Sequence, residues 1–154
     1  MQVWRLVRRP YLADAFIGEG ARREGGRWNS LGVPVVYASA TLALALLEHL
    51  VHAGGIRLPT DTVAIPVDIP ARISVERIEA ARLPRHWRQD FPIPKELQAM
   101  GDAWVKRKIS AVMEVPSAIV PSEHNYLLNP AHPDFKLVKI GKAQSFGIDT
   151  RLLS

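Results

Sequence analysis

Short apolar segments, separated by glycine, proline and charged residues, are the feature that most limits how this chain can fold. None of these segments approaches the roughly 20 apolar residues that a membrane-spanning helix needs. Alternation over residues 3–7 predicts a strand, and residues 62–69, which end at the turn of Pro70, are a second predicted strand. A length of 154 residues is that of one domain. We therefore expect a single compact domain over residues 1–154, made of short strands and a few helices.

Two helices are predicted among the strand signals. Ser39 or Thr41 can cap the first, and Gly54-Gly55 is expected to end it. The second begins at the prolines of residues 92–94 and runs towards Ile109. The other predicted elements are a long loop over residues 8–32 and short strands over residues 33–38, 72–78, 111–115, 118–120, 126–128, 136–140 and 146–148. Strands without regular alternation with helices predict a mixed α+β fold.

Charge and cysteine content narrow the function classes. The net charge of +5 favours an anionic ligand, an acidic partner or nucleic acid. The basic residues, Arg5 among them, are scattered and are not interleaved with aromatic residues, which favours a solvated surface over a nucleic-acid interface. Because the chain has no cysteine, neither disulfides nor thiolate chemistry is available, and we expect a cytoplasmic protein.

A glutamate interrupts the first predicted helix, which is otherwise apolar nearly all round and is expected to be buried. Glu48 shares a stripe with Leu44 and Val51. A buried carboxylate is costly, so Glu48 either pairs with an arginine or is held in a pocket to bind hydroxyls and stabilise positive charge. His49 and His52 follow it three residues apart, unlike the His-Glu-x-x-His motif, and no metal is predicted.

Short motifs along nearly the whole chain carry a family resemblance. An arginine, a tyrosine, an acid and a hydroxyl, supplied by different segments, suit an anionic, ring-bearing small molecule. In their order and spacing the motifs resemble a RES domain, a family named for an arginine, a glutamate and a serine. The matching motifs are WRL at 4–6, GGRWN at 25–29, VYAS at 36–39, ALALLE at 43–48, GDAW at 101–104, VPSA at 115–118, NYLLNP at 125–130 and FGIDTRL at 146–152.

The resemblance implies a fold related to the ADP-ribosyltransferases and an enzyme that consumes NAD by phosphorolysis or hydrolysis. NAD is then the substrate, inorganic phosphate a co-substrate, and no prosthetic group is needed. Arg27 and Glu48 are the implied catalytic residues: Glu48 holds ribose hydroxyls and stabilises the cationic ribose, and Arg27 binds phosphate oxygens. Tyr37 stacks on a ring, Ser117 fixes nicotinamide or ribose by a hydrogen bond, and Asn125 is a further NAD contact.

The resemblance also implies a bacterial toxin in a toxin–antitoxin pair. A helix-turn-helix antitoxin covers the active site in that arrangement, giving a hetero-oligomer or an assembly of several copies, without direct contact to nucleic acid or membrane. Two alternatives stay open at this point. One is an enzyme that transfers ADP-ribose to a host protein. The other is a non-enzymatic module that binds nucleic acid or a protein partner, with its polar residues serving structure.

Overall fold

Eight strands form one mixed sheet in the computed structural model of this protein, which describes residues 1–54 and 59–153. The described helices are α1 (Glu19–Glu24), α2 (Leu42–His52) and α3 (Lys95–Arg107). The strands are β1 (Gln2–Arg8), β2 (Val36–Ser39), β3 (Thr62–Asp68), β4 (Val75–Arg77), β5 (Val112–Pro116), β6 (His124–Leu128), β7 (Lys139–Ile140) and β8 (Gln144–Ser145). Short 3-10 helices occupy Arg9–Asp14, Ala80–Arg82, Pro133–Leu137 and Thr150–Leu153. No described helix is long and apolar enough to cross a membrane.

The sheet opens between its two central strands. Its order is β4-β5-β6-β2-β1-β3-β7, with β8 also paired to β3, and β4–β5 is the parallel pair among the described strands. β1 pairs with β3 along its whole length, from Gln2 opposite Asp68 to Arg8 opposite Thr62. Within the described chain, β1 and β2 share one registered pair, Trp4 opposite Ser39. The backbones of β1 and β2 therefore separate on one side of that pair and leave room for a cleft.

Apolar side chains bury both faces of the sheet. One core cluster contains Val3 and Val7 of β1 with Val36, Ile65 and Leu128 of its neighbours. A second cluster lies under α3 and contains Trp28, Leu97, Trp104, Met113 and Leu127. A third packs α2 on the sheet through Leu6, Ala45 and Ala64. The single-domain α+β architecture predicted from the sequence is confirmed in its fold class.

Helix α2 begins as predicted but is less buried than its sequence indicated. The Thr41 Oγ1 accepts a hydrogen bond from the Leu44 amide at 3.1 Å, which confirms Thr41 as the cap. Leu44 is 1% exposed, whereas Leu47 and Val51 are 41% and 53% exposed. The expectation of burial nearly all round was wrong, because α2 packs one face on β1 and β2 and leaves the other uncovered. Gly54 follows the helix with φ of 69°, and Gly55 lies outside the described residues.

The predicted loop over residues 8–32 contains two helices instead. A 3-10 helix occupies Arg9–Asp14, and α1 follows at Glu19–Glu24. The sequence of α1, EGARRE, has no apolar stripe, so the 3.6-residue period could not reveal it. Its stability comes in part from Arg22, whose Nε and Nη2 donate to the two carboxylate oxygens of Glu19 at 2.7 and 2.6 Å.

Several predicted strands are shorter than expected or replaced. The prediction for residues 118–120 was wrong, because the amides of Ile119 and Val120 donate to Ser117 Oγ in a turn. Residues 136–140 combine part of a 3-10 helix with the two-residue β7, and the strand expected at 146–148 lies earlier, as β8. An apolar segment of three to five residues forms a strand only where a neighbouring strand is placed to pair with it. Apolar content alone therefore does not distinguish a short strand from such turns.

A close contact of α3 with the segment before β2 gives a stability test. An ideal Cβ at Gly101 would lie 1.7 Å from the backbone oxygen of Trp28. We expect Gly101→Ala to lower the free energy of unfolding by about 3 kcal/mol, because neither backbone can yield without loss of core packing. Urea unfolding followed by circular dichroism measures this. The matched control is Gly20→Ala in α1, where a Cβ meets nothing within 4 Å. A similar small effect at both glycines would contradict the close contact.

Candidate active site

A cleft of about 690 Å³ lies where β1 and β2 separate. Its walls come from β1, β2 and α2, from the segment that runs from Gly20 in α1 to Trp28, and from residues near the end of β5 and the start of β6. A volume of this size is typical of sites for small molecules and cofactors. Arg27, Tyr37, Glu48 and Asn125 all line it, so the structure brings these four predicted site residues together.

Two neutral donors hold the Glu48 carboxylate in the cleft wall. Its Oε1 accepts from Ser117 Oγ at 2.9 Å and from Asn125 Nδ2 at 2.5 Å. Among the described residues, neither an arginine ion pair nor a donor to Oε2 is present. A structural ion pair therefore does not account for this acid. Because one carboxylate oxygen is fixed and the other is open, Glu48 can accept hydrogen bonds from a ligand in a set orientation.

Ser117 and Asn125 differ in their access to the cleft. Ser117 is 0% exposed, and its Oγ accepts from two backbone amides while donating to Glu48. Asn125 lines the cleft, and its Oδ1 accepts from Ser39 Oγ at 2.7 Å. Direct contact of Ser117 with NAD stays a prediction. The observed contacts place this serine behind Glu48, where it orients the carboxylate.

Arg27 is half-buried, and backbone oxygens fix the plane of its guanidinium group. Its Nη1 donates to the carbonyls of Trp87 and Gln89 at 2.8 and 2.9 Å. Partial burial lowers the pKa of Arg27, while the nearby charges of Asp90 and Glu48 act in the opposite direction. With Nη1 engaged, Nε and Nη2 remain on one edge of the group. That edge has the spacing for two parallel hydrogen bonds to a phosphate.

Tyr37 lines the cleft, and its hydroxyl is engaged in hydrogen bonds within the protein. The hydroxyl donates to Asn29 Oδ1 at 2.7 Å and accepts from the Trp28 amide at 3.1 Å. Burial raises the pKa of this phenol well above its usual value, so it stays protonated. Trp28 is 2% exposed and belongs to the core, as its sequence context indicated. Tyr37 can therefore offer a ring face, but its hydroxyl is not free for proton transfer.

Arg5 is a cleft residue that our reading of charge alone placed on the surface. Its Nε donates to the Ala15 carbonyl at 2.8 Å, and its Nη1 donates to the Tyr37 carbonyl at 2.7 Å. Burial lowers the pKa of Arg5 to about 10, and no carboxylate pairs with it among the described residues. The period-two pattern of β1 contained this information, because Arg5 lies on the same face of the strand as the buried residues Val3 and Val7.

Comparison with known proteins assigns the family. Residues 2–149 match the model of the RES domain. The chain belongs to the RES-domain family. It is 39% identical over 154 residues to "Toxin Res" of Photorhabdus laumondii, covering 99% of this chain and 97% of that protein. It is 38% identical over 154 residues to "Prs ADP-ribosylating toxin" of a Sphingobium strain, covering 97% and 95% of the two chains.

A solved structure supports the fold of this RES domain. A chain in the crystal structure of the Mycobacterium tuberculosis MbcT–MbcA toxin–antitoxin complex aligns with a TM-score of 0.71. The alignment covers 94% of this chain and 83% of that chain, at 19% identity. At that identity the likeness establishes a shared fold and leaves activity to be argued from the site.

The cleft also contains two histidines of α2, His49 and His52, and for His49 we predict a contribution to stability that depends on pH. Burial, and then the charges of His52 and Arg5, lower the pKa of His49 below 6.5. The unfolded chain therefore takes up a proton before the folded chain does as pH falls, and stability should decline below about pH 6.5. We expect His49→Gln to flatten the dependence of unfolding free energy on pH between 7 and 5. Superimposable pH profiles of the two proteins would contradict this prediction.

Proposed function

We propose that this RES-domain protein is a toxin that cleaves the nicotinamide–ribose bond of NAD+. The main support for this proposal is the Glu48 carboxylate. Its Oε1 is fixed by two hydrogen bonds, its Oε2 has no donor among the described residues, and two arginines line the same cleft. Nicotinamide leaves NAD+ as a neutral ring, and positive charge then develops on the ribose. An enzyme for this reaction therefore needs an oriented negative charge more than a general acid.

Each wall of the cleft suits one part of the dinucleotide. The open Oε2 of Glu48 accepts from ribose hydroxyls and faces the developing cation. The free edge of Arg27 and the buried charge of Arg5 bind the pyrophosphate or an incoming phosphate. The ring of Tyr37 packs against nicotinamide. Ser117 and Asn125 hold Glu48 in place, and Asn125 can also reach the ligand because it lines the cleft.

The acceptor of the ADP-ribosyl group defines two versions of this function. In the first, inorganic phosphate or water accepts it, which makes the protein an NAD+ phosphorylase or glycohydrolase. In the second, a host protein accepts it, and the name of the Sphingobium relative, an ADP-ribosylating toxin, favours this version. Both versions use the same cleavage step. They differ only in the molecule that enters beside the ribose.

A partner that covers the cleft is part of the proposal. The likeness to a chain of a toxin–antitoxin complex and the names of the relatives support an antitoxin, which we propose to be a helix-turn-helix protein. Val51 lines the cleft and is 53% exposed, and Leu47 on the same helix is 41% exposed. Apolar residues beside a cleft that holds two arginines fit a partner with an apolar anchor and an acidic group that reaches one of them. We place both proteins in the cytoplasm, where NAD is available.

Replacing Glu48 tests the proposed chemistry directly. Glu48→Gln keeps an oxygen that can accept from Ser117 and Asn125 but removes the negative charge. We expect NAD+ consumption to fall by at least about 100-fold with the fold intact, because an electrostatic stabiliser of the transition state is lost. Nicotinamide release, followed by chromatography, is the measurement. The matched control, Glu79→Gln at an exposed position, should keep wild-type turnover. Undiminished turnover by folded Glu48→Gln would remove Glu48 from the mechanism.

Growth and cellular NAD test the proposed toxicity and its control. Expressed alone in bacteria, the wild-type chain should deplete NAD and stop growth, whereas Glu48→Gln should do neither. Co-expression with the gene that neighbours it should restore both, because we expect that gene to encode the covering partner. Soluble, intact wild-type protein that leaves growth and NAD unchanged would overturn the toxin proposal.

A further inference from the structure

His52 is fixed in one tautomer by the helix that carries it. Its Nδ1 lies 2.6 Å from the backbone oxygen of Glu48, one turn earlier in α2. A carbonyl oxygen can only accept, so Nδ1 must carry the hydrogen and donate it. In the neutral imidazole, Nε2 is then left with the lone pair. The ring is therefore oriented with its basic nitrogen away from the helix backbone.

The position of His52 in α2 puts it in the wall of the same cleft as the predicted catalytic residue Glu48. Glu48 and His52 both line the cleft. They are four residues apart in α2, a spacing that puts their Cβ atoms roughly 5–6 Å from each other on one face. No described residue forms a hydrogen bond with His52 Nε2. His49 and Arg5 also line the cleft, and the charges of His52 and Arg5 both lower the pKa of His49.

We propose that His52 is the general base that deprotonates a neutral nucleophile attacking the ribose of NAD+. The proposal rests on the function proposed above. A water or a protein hydroxyl forms an oxygen–carbon bond to C1′ of the ribose. The bond between C1′ and the nicotinamide nitrogen breaks, and its electron pair leaves with nicotinamide. The proton of the nucleophile passes to His52 Nε2 and from there to solvent.

A general base at His52 would speed attack by water or a hydroxyl group but not attack by inorganic phosphate. Water and hydroxyl groups become good nucleophiles only as they lose a proton. Inorganic phosphate near neutral pH carries an anionic oxygen and attacks without losing one. Glu48 serves both reactions equally, since it stabilises the ribose cation in each. His52 would therefore decide how fast the cleft uses water or a hydroxyl relative to phosphate, while leaving the cleavage machinery unchanged.

His52→Asn separates these two reactions. Asparagine places an N–H near the position of Nδ1, which keeps a donor for the Glu48 carbonyl, and it provides no base. Products are measured by mass spectrometry after incubation with NAD+, once in phosphate-free buffer and once with saturating inorganic phosphate. We expect formation of ADP-ribose to fall by about 100-fold or more, and phosphorolysis to stay within about threefold of wild type. His86→Asn, an exposed histidine outside the cleft wall, is the control and should change neither rate.

Any other result contradicts either the role of His52 as a base or the proposed cleavage of NAD+. Wild-type rates of ADP-ribose formation by His52→Asn would exclude His52 as the base. Equal loss of hydrolysis and phosphorolysis would show that the ring serves structure or NAD binding. Wild-type protein that reacts with phosphate but gives neither ADP-ribose nor ADP-ribosylated protein has no neutral acceptor to activate, which also overturns the inference. Wild-type protein inert towards NAD+ in both buffers overturns the proposed function itself.

Discussion

The hydrogen bonds to Glu48 Oε1 join the parts of the fold that form the cleft. Ser117 belongs to the turn after β5 and Asn125 to β6, and the side-chain Oδ1 of Asn125 accepts in turn from Ser39 Oγ at the end of β2. α2 is thus bonded directly to the turn after β5 and to β6, and through Asn125 to β2, in addition to its apolar contact through Ala45. A charged group that is partly removed from water is tolerated where such donors replace its hydration. The same donors leave the second oxygen open, so structure and chemistry share one carboxylate.

Two guanidinium groups place positive charge in the cleft wall, which also contains the carboxylates of Glu24, Glu48 and Asp90. Arg5 and Arg27 both donate to backbone carbonyls, and within the described residues neither forms an ion pair with a carboxylate. Carbonyl partners orient a guanidinium without cancelling its charge, which keeps attraction for a phosphate intact. The net charge of +5 is a weak guide to this, because what matters is the presence of two cations in the cleft wall.

Sequence patterns predicted the elements that depend on local residues, and the resemblance supplied the rest of the site. Thr41 and the apolar run after it were enough to place α2 and its unusual acid. Ser117 and Asn125 lie 69 and 77 residues from Glu48 along the chain, and no periodicity connects positions so far apart. Arg5 shows a different limit. Its charge favoured the surface, whereas its position on the same strand face as Val3 and Val7 favoured the interior, and the strand pattern was the better guide.

The sparse pairing of β1 with β2 has a mechanical consequence. β1 is bonded along its length to β3, but in the described chain one registered pair, Trp4 with Ser39, connects it to β2. The sheet thus consists of two well-bonded halves joined by few backbone hydrogen bonds. Rotation of one half about that junction would change the width of the cleft without disturbing either ladder. The Arg5 side chain crosses the same junction to the Tyr37 carbonyl. A side-chain hydrogen bond thus adds to the few backbone bonds across this junction, at a cation for which an anionic ligand in the cleft would compete.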